Sequence, residues 1–389
     1  MIAQTPGSGA QAGTGPAPLV VHIVHRLDVG GMENGLINLV NGMAAEPFRH
    51  AIVALAGVSE FRKRLTRPDV RVMSLDKRPG KDLPAYGRLW RVLRQLGASI
   101  VHTRNLGTID CQWVAAAAGP SHRIHGEHGW DISDLRGTSR RSVWLRRCCK
   151  PVIQRYVAMS RDIESWLIQT IGVAAARVTQ IYNGVDAQRF DPAGAVPTDL
   201  PWDPAEVITV GTVGRLEPTK NQVLLLKAFP ALLAQVREHA ARLRLIIVGG
   251  GPQQREICDL ARALGVADRL WIPGVRSDIA QLMRAMDIFV LPSLNEGISN
   301  TILEAMASGR PVLAGRVGGN PELVQPGVTG GLFDPRRPED LAGQLADYVR
   351  DAELRRRQGA AGRERALRSF SLPAMIDGYQ SLYRQVLQR

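Results

Sequence analysis

Short apolar runs alternate with helical segments twice along this chain, and this alternation limits the possible folds more than any other feature. In the first half, strands are predicted at residues 19–25, 51–55, 70–75, 99–102, 123–127 and 155–159, with helices such as 33–45 and 84–96 between them. In the second half, strands are predicted at residues 207–213, 244–249, 269–272, 287–292 and 311–314, with helices at 221–238 and 252–264. Strands separated by helices form a parallel sheet with helices on both faces. The sequence therefore predicts an α/β fold with two doubly wound domains that face each other across a cleft.

The chain divides at residues 187–205, which are rich in proline, aspartate and alanine and interrupt the alternation. We predict a first domain at residues 19–190, a second domain at residues 206–371 and a terminal helix at residues 372–389. Residues 1–18 have neither the basic start nor the apolar core of a signal peptide. Their glycine, alanine, proline and threonine content predicts a disordered tail.

The composition is typical of a globular protein with 389 residues, 45% of them hydrophobic, which is enough for two domains. No stretch approaches the roughly 18 apolar residues of a membrane span. The four cysteines have neither zinc-ligand spacing nor a disulfide framework, so we expect reduced thiols and a cytoplasmic protein. The formal net charge of +13 suits nucleic acid, an anionic membrane or an anionic substrate. Because aromatic residues make up only 5% and no nucleic-acid-binding motif is present, we expect no nucleic-acid partner.

The stretch at residues 295–322 carries the most specific functional signal. The predicted strand before it stops at Pro292, and Ser299 can cap a helix that runs to about residue 309. This helix begins beside the carboxyl end of a parallel strand, where open α/β sheets bind ligands. The N–H groups of its first turn and the positive end of its dipole suit a phosphate.

Two carboxylates flank this phosphate-binding position. Glu296 precedes the first turn of the helix and Glu304 lies just inside it. A carboxylate accepts hydrogen bonds only, so each suits a polyhydroxylated ligand, one at a ribose and one at a sugar. A nucleotide sugar has a phosphate group flanked in this way. The alternative is an ordinary helix start with two solvated glutamates.

Two cations and two glycines stand at equivalent positions elsewhere in the chain. Arg215 and Lys220 lie in a loop after the first strand of the second domain, where they can converge on one diphosphate. The alternative is two exposed loop charges. Gly30 and Gly31 follow the first strand of the chain, where backbone without side chains can approach a ligand closely or make a tight turn with positive φ.

The pattern around the glutamates continues as AMASGRPV at residues 305–312 and GGNPE at residues 318–322. Together with Glu296-x7-Glu304, it resembles the retaining glycosyltransferases of family 4, which have the GT-B architecture. The resemblance extends over residues 19–389. It implies two Rossmann-like domains, the first on the acceptor side and the second binding the nucleotide sugar, with the terminal helix crossing back to the first domain.

The resemblance also implies roles for individual residues. Arg215 and Lys220 would hold the donor diphosphate and stabilise the leaving group, while Glu296 and Glu304 would bind the sugar and the ribose. The further donor-binding residues that it implies are Gly31, Arg276, Gly297, Ser299, Asn300 and Thr301. For Arg276, placed to touch the base, an exposed loop arginine is an equally good interpretation.

A histidine after the strand at residues 123–127 is implied to hydrogen-bond the donor sugar near the reacting carbon. His128 is the nearer match by strand length and is taken as catalytic with Glu296, Arg215 and Lys220, while His125 is the second choice. His125 and Asn105 are otherwise expected on the acceptor side. A histidine satisfied in the core or on the surface is the alternative.

The reaction implied by the resemblance is hexosyl transfer from a nucleotide diphospho-sugar to an acceptor hydroxyl with retention at the anomeric carbon. The acceptor would be a glycan or lipid-linked molecule, and the details around residues 102–105 and 126–129 resemble a bacterial subgroup associated with exosortase and exopolysaccharide loci. No cofactor is expected besides the donor, UDP- or GDP-linked, as co-substrate. Because no Asp-x-Asp triplet occurs in the chain, we expect a metal-independent enzyme. The alternatives are a nucleotide-sugar epimerase or a phosphorylase of similar fold, or a non-enzymatic basic protein that binds a polymer.

Residues 136–155 predict a contact with the membrane. They hold seven cations and no acidic residue, and apolar residues such as Val143, Trp144 and Leu145 are interleaved with them. A basic helix of this kind can lie in the headgroup layer of an anionic leaflet. A solvated helix face is the alternative, but a lipid-carried acceptor would favour peripheral binding at the inner face of the cytoplasmic membrane.

Overall fold

The computed structural model describes residues 16–44, 47–80, 82–120, 122–129, 134 and 137–388, and its first domain contains a seven-stranded parallel sheet. The strands are β1 (Leu19–Val24), β2 (Arg49–Ala54), β3 (Arg71–Ser74), β4 (Ile100–Arg104), β5 (His122–Glu127), β6 (Arg155–Ala158) and β7 (Val178–Gln180). Their spatial order is β3-β2-β1-β4-β5-β6-β7. The helices are α1 (Gly31–Gly42), α2 (Leu83–Leu96), α3 (Cys111–Ala118), α4 (Arg140–Cys149) and α5 (Arg161–Trp166).

Local sequence signals account for the ends of these helices. In α2, the Asp82 side chain accepts a hydrogen bond from Ala85 N, and Pro84 stands in the first turn. Gly97 adopts a left-handed conformation with φ of 61° and ends the helix. Leu89 and Leu93 are buried on one side of α2, because residues four apart share a helix face.

The second domain contains a six-stranded parallel sheet in the order β10-β9-β8-β11-β12-β13. Its strands are β8 (Ile208–Val213), β9 (Leu243–Val248), β10 (Leu270–Gly274), β11 (Ile288–Leu291), β12 (Val312–Gly315) and β13 (Gly330–Phe333). Its helices are α6 (Gln222–Gln235), α7 (Gln254–Ala263), α8 (Ile279–Arg284), α9 (Asn300–Ala307), α10 (Asn320–Leu323), α11 (Pro338–Arg350) and α12 (Ala352–Ser369). Both sheets reverse their strand order beside the first strand, which is the topology of a doubly wound fold.

The final helix, α13 (Leu372–Leu387), packs against the first domain. Its Ser371 cap accepts a hydrogen bond from Ala374 N. Met375, Tyr379 and other buried residues of α13 join a hydrophobic cluster with Val20 of β1 and Ile100 of β4. The chain therefore ends on the domain in which it began.

The predicted α/β class with two doubly wound sheets is confirmed. The sequence did not predict β7 and β13, because β7 has three residues and β13 begins with two glycines. Residues 187–205 contain neither helix nor strand. Most of the predicted tail, residues 1–15, lies outside the described residues. No helix in the described part of the chain is long and apolar enough to cross a membrane.

Glu322 of α10 joins the two domains through hydrogen bonds. Its carboxylate accepts from Arg161 N at 2.9 Å and Asp162 N at 3.1 Å, at the start of α5. It also accepts from the Tyr182 hydroxyl at 2.9 Å. A carboxylate at a helix N-terminus satisfies N–H groups that have no partner inside the helix.

We expect Glu322→Ala to lower the free energy of unfolding by about 1–2 kcal/mol, because three donors lose a charged acceptor. Thermal unfolding followed by calorimetry measures the change. Glu353→Ala is the matched control, since Glu353 pairs with Arg356 on the exposed face of α12 and such pairs contribute about 0–1 kcal/mol. Equal shifts in the two variants would contradict the bridging role of Glu322.

Candidate functional site

Loops at the carboxyl ends of the strands in both sheets face each other across one cleft. The Asn300 side chain at the start of α9 donates to Gly31 O, after β1, at 3.0 Å. Its amide oxygen accepts from Asn183 Nδ2 at 2.8 Å. The loop before α9 also contacts the loop after β5, because a Cβ built on Gly297 would lie 2.8 Å from Gly129 Cα. Residues from four separate segments therefore meet beside α9.

The N-terminus of α9 faces this cleft. The Ser299 hydroxyl accepts from Ile302 N and lies 3.0 Å from the Thr301 hydroxyl. The N–H groups of Asn300 and Thr301 belong to the first turn, where a helix has no internal acceptors. The end of the helix can therefore receive an anion.

Glu296 and Lys220 lie together at this end of α9. Lys220 Nζ is 2.6 Å from Glu296 Oε1 across the loops that follow β8 and β11. Arg215 in the same loop as Lys220 pairs with Glu217 at 3.0 Å and is 60% exposed. The structure thus brings one predicted carboxylate and both predicted cations to one edge of the second sheet.

Glycines, which have no side chain, allow the close packing of the loop that carries Glu296. A Cβ on Gly318 would collide with Glu296 O, and one on Gly319 would collide with Gly297 O. A Cβ on Gly297 would also lie 2.9 Å from Met159 Sδ. The glycines of the 295–322 stretch therefore permit close backbone packing in the second domain and across the cleft.

The glycine pair after β1 does not make a turn with positive φ. Gly30 is extended, with φ of −166°, and Gly31 is absent from the described residues with positive φ. A Cβ on Gly30 would collide with the Glu33 carboxylate, and one on Gly31 would lie 3.5 Å from Asn300 Nδ2. Positive φ therefore explains neither glycine. A close approach explains Gly30, whereas the contact at Gly31 has an ordinary van der Waals distance.

Glu304 faces a pocket between the domains. Burial raises the pKa of Glu304 to about 7, although Arg189 and Arg64 oppose this shift. The pocket is also lined by Asn300, Asn34 and Asn38. Glu304 is thus a partly protonated acid near neutral pH, and its carboxyl oxygens can accept hydrogen bonds from a polar ligand.

His128 follows β5 as predicted, and Asn105 fixes its position. The Asn105 side-chain oxygen accepts from His128 N at 2.6 Å. Asn105 has φ of 58° and ψ of 172°, a strained conformation for a residue with a side chain. Burial, with Arg104 nearby, lowers the pKa of His128 to about 3, so its imidazole is neutral. Asn105 therefore supports the histidine in this structure.

His125 does not line the cleft, contrary to the expectation for it. Its ring nitrogens contact the Thr103 hydroxyl at 2.8 Å and Glu127 Oε1 at 3.2 Å inside the first domain. Alternate residues of a strand point to opposite faces, so His125 points away from the face that continues to His128. Arg146 also binds Glu127. Burial acts to raise the pKa of Glu127, but Arg146 and His125 together hold this pKa at about 2.

Arg276 is engaged by carboxylates instead of facing an open base site. Its guanidinium donates to both oxygens of Asp278 and to Asp199 in the segment between the domains. Only 23% of its side chain is exposed, so the alternative interpretation of an exposed loop arginine does not describe it either. Contact between Arg276 and a nucleotide base stays a prediction.

Only part of the segment predicted to bind the membrane lies at the protein surface. Arg136 lies outside the described residues. Arg146 is buried, with its guanidinium 4.9 Å from the Trp166 ring centre, so counting it as a surface cation was wrong. Val143 and Leu145 pack against the core, because they point inward from α4. The residues of α4 that remain exposed are Arg140, Arg141, Trp144 and Arg147.

Sequence reasoning missed Glu33, whose carboxyl lies over Gly30 at the start of α1. Burial raises the pKa of Glu33, and Arg215 of the other domain is one of the charges that oppose the shift. The spacing Gly-Gly-x-Glu was the available signal. Within the described residues there is no group of three or more histidine, cysteine, aspartate or glutamate side chains that could hold a metal ion.

Comparisons with known proteins show which families and folds this chain is similar to. The model described as Glycosyltransferase Family 4 matches residues 29–189, and the model described as Glycosyl transferases group 1 matches residues 203–365. A D-inositol 3-phosphate glycosyltransferase of Thermobifida fusca is 29% identical over 100% of this chain and 98% of its own. A GDP-mannose-dependent alpha-(1-6)-phosphatidylinositol monomannoside mannosyltransferase of Mycobacterium tuberculosis is 36% identical over 64% of this chain and 66% of its own. The crystal structure of Anabaena Alr3699/HepE in complex with UDP-glucose has a TM-score of 0.77 and 22% identity, over 94% of this chain and 99% of that one.

We expect Glu304→Gln to stabilise the protein, measured without added ligand, more at high pH than at low pH. The folded-state pKa is raised from 4.5 to about 7, so the folded state holds a proton that the unfolded state loses in this range. Stability of the wild type therefore falls as pH rises through it. Melting temperatures from about pH 5 to about pH 8 test this, with exposed Glu339→Gln as the control. A gain that does not grow with pH would contradict the assignment.

Proposed function

This chain belongs to the glycosyltransferases of family 4, and on that basis we propose that it transfers a sugar from a nucleotide diphospho-sugar to an acceptor hydroxyl with retention. The observation that carries the proposal is the 2.6 Å pairing of Lys220 with Glu296 beside the N-terminus of α9. Lys220 would be the cation that binds a diphosphate, and the adjacent Glu296 would be the carboxylate that binds a sugar. The sugar and the diphosphate are the two groups joined by the bond that breaks.

The diphosphate would bind between Arg215, Lys220 and the first turn of α9. Lys220 would turn from Glu296 to a phosphate oxygen, which frees the Glu296 carboxylate to accept from sugar hydroxyls. As the glycosidic bond breaks, charge accumulates on the departing diphosphate, and fixed cations stabilise it most at that point. Arg215, Lys220 and the helix dipole would do this without a metal ion.

Neutral His128 would hydrogen-bond the transferred sugar without adding positive charge beside an oxocarbenium-like carbon. Glu304 would accept from the ribose hydroxyls. We assign none of these residues as a covalent nucleophile, and the departing phosphate would help to remove the acceptor proton. Attack from the same face then gives retention.

Donor and acceptor follow from chemistry and from the relatives together. The donor would be UDP- or GDP-linked, since a relative is named as GDP-mannose-dependent and a solved neighbour holds UDP-glucose. The acceptor would belong to bacterial cell-surface glycan synthesis, with exopolysaccharide as the first class to test. A polyol phosphate or phosphatidylinositol mannoside is the second class, because the relatives carry those names.

A panel of nucleotide sugars tests this function. We expect the wild type to release free nucleoside diphosphate from one donor, slowly to water and faster with acceptor, and to remain active in EDTA. Lys220→Ala should lower kcat/KM by about 10–100-fold, because a charged hydrogen bond contributes about 1.5–3 kcal/mol. Lys227→Ala, on the exposed side of α6, is the matched control.

Two of the alternatives give a different result in the same assay. An epimerase would interconvert donor sugars without releasing nucleotide, and a polymer-binding protein would leave every donor intact. Activity lost in EDTA and restored by magnesium or manganese would contradict metal independence. Equal activity of Lys220→Ala and the control would remove this loop from the mechanism.

We further propose that α4 binds an anionic membrane surface. Trp144 is 65% exposed and lies between exposed arginines at helical spacing. Trp113 of α3, 50% exposed, and Trp90 of α2, 41% exposed, belong to helices that follow on the same face of the first sheet. Tryptophan prefers the interface of a bilayer, and each cation near an anionic surface contributes about 1 kcal/mol.

We expect the protein to sediment with vesicles that contain phosphatidylglycerol, but not with phosphatidylcholine vesicles or at high salt. The triple variant Arg140→Ser, Arg141→Ser, Trp144→Ser should lose sedimentation and keep donor hydrolysis. Arg255→Ser with Arg356→Ser is the control, since both arginines are exposed on the second domain. Sedimentation that is equal in the two variants would contradict binding through α4.

A further inference from the structure

A groove lies on the first domain, between the carboxyl end of β3 and one side of α2. Its volume is about 640 Å³, within the roughly 300–1,000 Å³ of sites that bind small molecules. Strand β3 is at the edge of the seven-stranded sheet, so no other strand of that sheet pairs with its outer side. None of the residues assigned above to the donor or to the membrane surface lines this groove. The groove is therefore distinct from the sites already described.

Helix α2 forms one wall of the groove through residues at helical spacing. The side chains of Arg88, Arg91, Val92 and Gln95 are three or four positions apart, so they share one side of the helix. This wall contains two cations, one amide and one apolar side chain. No aromatic ring is among the described residues that line the groove. Its chemistry therefore favours recognition of charge over stacking against a ring.

The loop after β3 forms the opposite wall, and hydrogen bonds fix its shape. Lys77 N donates to Leu55 O, after β2, at 2.7 Å. Asp76 has φ of 48°, an uncommon conformation for a residue with a side chain. The Ser74 hydroxyl donates to the Asp76 carboxylate at 2.6 Å. This loop therefore holds Arg78, two residues beyond Asp76, at the groove on a defined backbone.

Two of the three arginines that line the groove are free to bind a ligand. In the part of the chain that the structure describes, the side chains of Arg78 and Arg91 make neither a hydrogen bond nor an ion pair. Arg88 is partly engaged, since it donates to Leu75 O at 3.0 Å and to Asp82 at 3.2 Å. Asp82 also accepts from Arg78 N at 3.0 Å, so this carboxylate is already bound. Free guanidinium groups suit a carboxylate or a phosphate, which they bind through two parallel hydrogen bonds.

One end of the groove lies at the edge of the sheet that faces the cleft. The carboxyl ends of parallel strands share one edge, and β3 is two strands from β1, about 10 Å at the usual strand spacing. Burial lowers the pKa of His25 at the end of β1, and the nearby cations Lys77 and Arg26 lower it further. Positive charge therefore continues from the groove towards the loops of the cleft.

We propose that this groove binds a carboxylate or phosphate group of the acceptor, a few sugar units away from the hydroxyl that receives the sugar. The inference rests on the proposed function and adds a class of substrate to it, an acidic saccharide. The acceptor is favoured over the donor because the groove belongs entirely to the first domain, whereas Arg215, Lys220 and α9 belong to the second. It is favoured over a separate effector because cations connect the groove with the cleft.

Defined probes test the groove without the transfer reaction. Labelled tetragalacturonate carries carboxylates, a short poly(glycerol phosphate) carries phosphates, and maltotetraose is uncharged. We expect one or both anionic probes to bind in a fluorescence anisotropy assay and maltotetraose not to bind. The double variant Arg78→Gln, Arg91→Gln should weaken the Kd of the anionic probe at least about tenfold, because two charged contacts are lost.

The matched control removes the same charge elsewhere. Arg255→Gln with Arg356→Gln, both exposed on the second domain, should leave the Kd nearly unchanged. If neither anionic probe binds, or if the two double variants weaken binding equally, the groove is not an anion site. Comparison of the two anionic probes shows whether the groove prefers carboxylate or phosphate.

A gain in affinity excludes unfolding as the cause of these effects. Gln95 is exposed in the last turn of α2, where the helix dipole favours a cation. Gln95→Lys should tighten the Kd of the anionic probe several-fold, and Gln95→Glu should weaken it. Gln235→Lys, at the exposed end of α6, is the matched control. Equal gains in the two lysine variants would show an effect of net charge alone and would overturn the assignment to the groove.

Transfer kinetics test whether the bound group belongs to the acceptor. With an acidic saccharide that accepts sugar, Arg78→Gln with Arg91→Gln should raise the KM for that acceptor about tenfold and leave kcat and donor hydrolysis unchanged. A wild type that hydrolyses a donor but transfers only to neutral saccharides would overturn this inference and leave the proposed function intact. Loss of vesicle sedimentation in the double variant, without an effect on saccharide binding, would assign the groove to the membrane instead. A protein that binds the probes but hydrolyses no donor would contradict the proposed function and the assignment to an acceptor together.

Discussion

A close approach between the two domains depends on glycines, which have no side chain. Gly297 meets Gly129 without room for a Cβ on Gly297, and Gly318 and Gly319 support the same loop from behind. Backbone packed against backbone has little freedom to shift, because main-chain atoms cannot rotate away from a clash. The position of Glu296 is therefore set by glycines, and the pairing with Lys220 follows from it. A larger residue at Gly297 would displace both the Glu296 carboxylate and the loop that carries His128.

Buried polar clusters hold the floor of the cleft from both faces of the first sheet. On one face, Glu127 joins Arg146 to His125. On the other, Arg104 Nη1 lies 3.0 Å from His22 Nδ1, and His22 contacts His50. A buried ion pair contributes little net stability, since desolvation offsets most of its attraction. These groups are better understood as devices that orient the loops after β4 and β5.

Segments far apart in the chain complete the site. Asn300 contacts Gly31 and Asn183, which lie 269 and 117 residues away in sequence. Tyr383 of the last helix reaches His102 of β4 across 281 residues. Helix α12 packs on the second domain and α13 packs on the first. The short segment between these two helices therefore connects the two domains.

The sequence by itself determined the alternation of strands and helices, the cap at Ser299, and the clustering of Glu296, Arg215 and Lys220 at strand ends. These features follow from local rules: periodicity, capping and the position of a residue after a strand.

Only the tertiary structure decided which side chains are free to act. Strand alternation turned His125 into the core, and Glu127 removed Arg146 from the surface. Asp199 and Asp278 engaged Arg276, while folding brought His102 beside His128. A single sequence cannot give these outcomes, because each depends on a partner distant in the chain or on which face of a strand a residue occupies, and a shift of one residue reverses that face.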